Sequence, residues 1–87
     1  DWEELSIEDT DSITKINIDS EILRGIVSAI VNKVVLLINY QSSKSTSNRL
    51  ISPNQIVFAD FRYHLRAFCH KDYLYKDFVL GRIIEIQ

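Results

Sequence analysis

Phe61-Arg62-Tyr63-His64-Leu65-Arg66-Ala67-Phe68-Cys69 is the stretch whose reading decides the fold. In an extended strand alternate side chains face opposite ways. Tyr63, Leu65, Ala67 and Cys69 then point into a core, while His64, Arg66 and Phe68 look outward. The outward side holds two groups suited to anions: the rigid donor fork of Arg66, and His64, whose charge its surroundings can set near neutral pH. A strand with one dry and one cationic face belongs to a half-solvated sheet and presents a binding surface.

Downstream, His70-Lys71-Asp72 reads as a turn, Leu74 to Leu80 as a strand and Arg82 to Ile86 as another, with Gly81 between them. Upstream, Val34 to Gln41 is β-branched and apolar and reads as a strand, followed by a polar loop from Gln41 to Asn48. The chain resumes as strand at Arg49 to Ile51, is bent or broken at Pro53-Asn54, and continues over Gln55 to Ala59, with Asp60 in the next turn. Before the strands, Asp19 and Ser20 supply N-cap chemistry and Glu21 suits the first turn of a helix. Ile22, Leu23, Ile26, Val27, Ile30 and Val31 wind into an apolar stripe opposite Arg24, Ser28 and Asn32, which predicts a helix over about residues 20–32. Lys33 suits its C-terminal end. One helix and five short strands bury their apolar faces poorly as a flat sheet. The fold expected is mostly β with an N-terminal helix, its five strands closed into a small barrel over residues 34–87, with Pro53 and Gly81 as the bends.

Eighty-seven residues make one domain with a single small core, and 46% hydrophobic with 25% charged residues is the composition of an ordinary globular protein. The apolar run Val34 to Ile38 is far too short to span a membrane, so no membrane partner is expected. The single cysteine, Cys69, lies on the apolar side of its strand and reads as a buried, inert thiol, which fits a reduced, cytoplasmic setting. Six of the twelve acidic side chains fall in residues 1–12, which hold no Lys or Arg. The rest of the chain is therefore cationic, ten basic against six acidic groups, and the first twelve residues read as an acidic linker ahead of a domain at 13–87. The start at Asp1 reads as a domain cut from a longer protein.

Catalysis finds little to stand on. No nucleophile elbow occurs, and with only Gly25 and Gly81 neither a phosphate-cradling loop nor a dinucleotide turn can be drawn, so neither enzyme activity nor a cofactor is expected. Cys69-His70 lacks the second ligand pair that a tetrahedral metal site needs. Spacing alone favours a structural use of the cations: Arg49 and Arg82 tie strand ends through Asp60, Asp72 or Asp77, and His64 sits half-exposed. The binding alternative gathers Tyr40, Ser42, Arg49, His64, Arg66 and Arg82, with Tyr40 or Phe78 as a stacking face.

Four motifs in order add a resemblance. Tyr63-His64-Leu65 stands where the WYL-domain family has its Trp-Tyr-Leu signature, within a run similar to the family's variants with His in the middle. Ile38-Asn39-Tyr40-Gln41-Ser42, Arg49-Leu50-Ile51-Ser52-Pro53 and Phe78-Val79-Leu80-Gly81-Arg82-Ile83 resemble its other elements. The resemblance implies an Sm-like, SH3-type barrel acting as the ligand-sensing domain of a bacterial transcription regulator. It implies a nucleotide or single-stranded nucleic acid as ligand, with Arg66 and then Arg82 the strongest site residues. It also implies a separate helix-turn-helix domain to hold DNA, and a homodimer in the full-length protein. The expected alternatives are a linking or dimerisation module without ligand, and an Sm-like barrel that binds RNA as a ring.

Overall fold

The computed structural model describes residues 18–87; the acidic linker expected at 1–12 and the start of the domain expected at 13–17 lie outside them. Helix α1 spans Ser20–Asn32, and the Asp19 carboxylate caps it, accepting from the amides of Glu21 at 2.8 Å and Ile22 at 3.4 Å. Ile22, Ile26 and Ala29 are its buried residues. At 3.6 residues per turn these three fall within a narrow arc, while Val31 lies about half a turn from Ile22. The expected stripe is therefore too wide by two residues: Val27 and Val31 are exposed, Val31 at 72%, while Ile22, Ile26 and Ala29 are buried and Leu23 and Ile30 pack half-buried against the core. It ends at Lys33, whose left-handed backbone (φ 57°) turns its amide back to the Ala29 carbonyl.

Five strands follow: β1 (Leu36–Gln41), β2 (Thr46–Ala59), β3 (Arg62–Cys69), β4 (Leu74–Val79) and β5 (Ile83–Ile86). They form one antiparallel sheet in the order β4-β3-β2-β1-β5. Two boundaries correct the sequence reading. Val34 and Val35 are exposed connection rather than strand. The polar run contributes Thr46–Asn48 to β2, since backbone pairing with Asn39–Gln41 does not require apolar side chains. At Pro53-Asn54, expected to bend or break the chain, the strand is bent and not broken: Pro53 pairs with Ala67, Gln55 pairs with Arg66, and Asn54 is the extra residue of a bulge that carries β2 past the missing N–H.

The bulge also restores the parity that keeps Ile51 and Ile56 on the core side. That core is built from Ile22, Ile26, Ile38, Tyr40, Ile51, Tyr63, Leu65, Ala67, Cys69, Phe78, Leu80 and Ile83.

The sheet is strongly curled. β1 and β4 are three ladders apart, about 14 Å in a flat sheet. Yet the Tyr40 and Phe78 rings meet edge to face at 5.0 Å, and the Val79 amide donates to the Tyr40 hydroxyl at 3.0 Å. The expected barrel is nevertheless not closed. A single 3₁₀ turn, Leu80–Arg82, carries the chain from β4 to β5, which then pairs with β1, and among the described residues no ladder joins β4 to β5. Gly81 sits in that turn without positive φ and with open space where a Cβ would be, so it is not a required bend.

Candidate functional site

The register of β2, β3 and β4 places side chains of the sheet's outer face in rows. Ala59 stands beside Arg62; Val57, His64 and Val79 form the next row; then Gln55, Arg66 and Asp77; then Ser52, Phe68 and Tyr75. Arg62, His64 and Arg66 thus share one face of one strand. Arg62 is exposed and makes no ion pair among the described residues. It went unremarked in the sequence, although the same alternation that selects His64 and Arg66 selects it two positions earlier.

His64 is buried, 8% exposed, which corrects its reading as a half-exposed surface residue. Val57 and Val79 flank it, and its Nδ1 is enclosed with no hydrogen-bond partner. An enclosed, unpartnered polar atom is costly.

Arg66, expected as an outward fork suited to anions, is not a free cation. Its Nε and Nη2 donate to both oxygens of Asp77, at 2.9 and 3.1 Å. The cross-strand pairing of Arg66 with Asp77 sets this bidentate contact. Hydrogen bonding by Arg66, with its charge, holds the Asp77 carboxyl below its ordinary range, and the same bond raises the guanidinium.

The other expected residues are dispersed. Tyr40 and Phe78 are buried against each other in the core, so neither offers a stacking face; the correction follows from the curl that brings β1 over β4. Ser42 shapes the β1–β2 turn, donating to the Ser45 carbonyl and accepting from the Lys44 and Ser45 amides. Arg49 faces the core side opposite Ile38; its Nε donates to Ser47 and its Nη1 lies 3.5 Å from Asp72. Asp72 also accepts from Lys76, and this bond first, with the charges of Lys76 and Arg49, keeps its carboxyl low. Arg49 is thus a tie between β2 and the β3–β4 turn. Arg82 is exposed on the 3₁₀ turn, which packs against β3. Cys69 is buried, as expected.

Sequence reasoning passed over the aromatic cluster beyond Arg66. The Phe68 ring meets His70, Tyr73 and Tyr75, each nearly perpendicular to it, at 5.2, 6.3 and 5.4 Å. The Ser52 hydroxyl and His70 Nε2 are hydrogen-bonded at 2.7 Å. Elsewhere, a depression of about 290 Å³ opens between α1 and β5, but Asp19, Glu21 and Glu85 line it, which suits no anion.

The described residues form a small, curled antiparallel sheet with an N-terminal helix and an outer face that carries Arg62, His64 and Arg66. The WYL domain model matches residues 21–87, and the chain belongs to that family. It is 35% identical over 72 residues to the DNA-binding transcriptional repressor CapW of Escherichia coli (strain KTE188), covering 80% of this chain and 24% of CapW. The CapW of Stenotrophomonas maltophilia is 31% identical over 68 residues, 76% of this chain and 23% of the relative. The chain spans about a quarter of the length of these relatives. Among solved structures, proteasome accessory factor B/C (PafBC) of Arthrobacter aurescens superposes with a TM-score of 0.71 at 21% identity, over 78% of this chain and 11% of that one, a likeness of fold.

Proposed function

We propose that this chain is the ligand-sensing regulatory domain of a cytoplasmic bacterial helix-turn-helix transcription regulator, and that the outer face of β3 binds single-stranded nucleic acid or a nucleotide-like anion. In this reading DNA is held by a separate domain of a homodimeric full-length protein, as the relatives' name of DNA-binding transcriptional repressor suggests. The observation that carries it is the row Arg62, His64, Arg66 along one strand, two guanidinium groups on one face with an imidazole between them. Such a line suits successive phosphate oxygens.

The Arg66–Asp77 and Arg49–Asp72 ion pairs favour a second reading, a linking module whose cations are structural. Titrating wild type and Arg66→Ala with short single-stranded oligonucleotides at two salt concentrations separates the two. The sensing reading expects Arg66→Ala to fold normally and to bind roughly ten- to a hundredfold more weakly, with wild-type binding falling as salt rises. Equal binding by both proteins, or none, leaves the linking module.

A further inference from the structure

Strand β5 is an open edge. The Gln87 amide donates to the Leu37 carbonyl at 2.9 Å, and ladder bonds alternate along an antiparallel strand, so the backbone groups of Ile86 turn away from β1. No strand meets them there among the described residues. The depression of about 290 Å³ between β5 and the first turn of α1 has no β1 residue in its lining, so it lies on that outer side, and its apolar walls are Ile22, Ile84 and Ile86. Unpaired strand backbone beside uncovered apolar surface is a place for one more strand. Of the three carboxylates in the lining, Asp19 caps α1 and Glu21 pairs with Arg24, while Glu85 makes no ion pair among the described residues.

We propose that this edge is closed by the chain's own residues 13–17, Ile13-Thr14-Lys15-Ile16-Asn17, laid along β5 as a sixth strand with Lys15 beside Glu85. The segment enters at the rim: Ile18 packs against the core, and the next residue, Asp19, lines the depression. Five extended residues reach about 17 Å, more than the roughly 13 Å of a four-residue strand such as β5. Alternation puts Ile16 on the side of Ile18 and Lys15 on the other. Ile86 stands on the core side with Ile38, and Glu85 on the outer side with Asn39, so Ile16 meets apolar surface where Lys15 meets a carboxylate. Charge selects the same residues, because Lys15 is the one basic side chain in the first seventeen, whereas residues 1–12 carry six carboxylates that Glu85 repels. A second copy paired through β5 would bring another Glu85 to this edge, and a free peptide would lose translational freedom that a tethered segment has already given up.

The test follows hydrogen exchange of the Ile86 amide, with thermal melting beside it, in the full chain, in residues 13–87, in residues 18–87, and in full chains carrying Ile16→Asp, Lys15→Glu, Glu85→Lys or the two charge reversals together. The amide should be protected in the full chain and in 13–87. It should exchange about tenfold faster or more in 18–87 and in Ile16→Asp, both of which should melt several degrees lower. Each single charge reversal should speed exchange about two- to fivefold, and the double reversal should restore it. Equal exchange in wild type and Ile16→Asp overturns the proposal, and this comparison decides even if 18–87 does not fold. A double reversal that restores nothing overturns the pairing of Lys15 with Glu85. Protection already lost on removing residues 1–12 assigns the edge to the acidic segment, and protection that rises with concentration, with a dimer in sedimentation, assigns it to a second copy; either result overturns the proposal. No readout involves a ligand, so the result stands apart from the proposed function.

Discussion

Arg66 cannot give both donors to an outside anion while it holds both oxygens of Asp77. Asp77 therefore competes with any ligand for the same fork, and the competition has a pH dependence whose sign is fixed. A carboxyl depressed by its partner contributes stability that is present above its unfolded pKa and lost as pH falls through its lower folded value. Phosphodiesters stay ionised across that window, so acid releases Arg66 without discharging the ligand. Asp77→Asn should mimic that release at neutral pH, tightening oligonucleotide binding several-fold in a fluorescence titration and flattening its dependence on acid. No change would mean that ligand and Asp77 do not share the arginine.

At the scale of elements, the helix from Ser20 to Asn32 was legible in its approximate bounds and its cap as one of two neighbours, Asp19 or Ser20, because side-chain capping and helical period are local signals. The inner face of β3 was legible for the same reason. What was not legible is what the register brings together: Asp77 opposite Arg66, Tyr40 upon Phe78, Tyr75 beside Phe68. Each pairs residues at least seven positions apart, and no alternation within one strand names its neighbour. Ile26, fully buried between α1 and the sheet, tests the helix packing: Ile26→Ala should cost about 2–5 kcal/mol in chemical denaturation. The β2–β3 turn offers the opposite sign. Asp60 and Phe61 both have positive φ, as a two-residue hairpin turn requires, and Phe61 is 90% exposed. Phe61→Gly removes the steric penalty of a bulky residue there and forfeits almost no burial, so it should raise stability by about 1 kcal/mol.

For the whole molecule, the open order β4-β3-β2-β1-β5 leaves two outer strands, and a ring of subunits would have to pair one with the other at every interface. The sensing reading expects a monomer or weak dimer of this chain in sedimentation at micromolar concentration; a closed ring of six or seven copies would favour the RNA-binding alternative. Curling also ties the sheet across its own interior through the Tyr40 hydroxyl, and Tyr40→Phe, which strands the Val79 amide, should cost about 1–3 kcal/mol. The two ends of that bond are 39 residues apart in the chain, so a long loop must be closed before it can form. The bond belongs on the native side of the folding barrier. Stopped-flow refolding of Tyr40→Phe should run at nearly the wild-type rate while its unfolding accelerates about five- to a hundredfold. The hydroxyl thus acts as a latch on the lifetime of the folded state and leaves its rate of formation almost untouched.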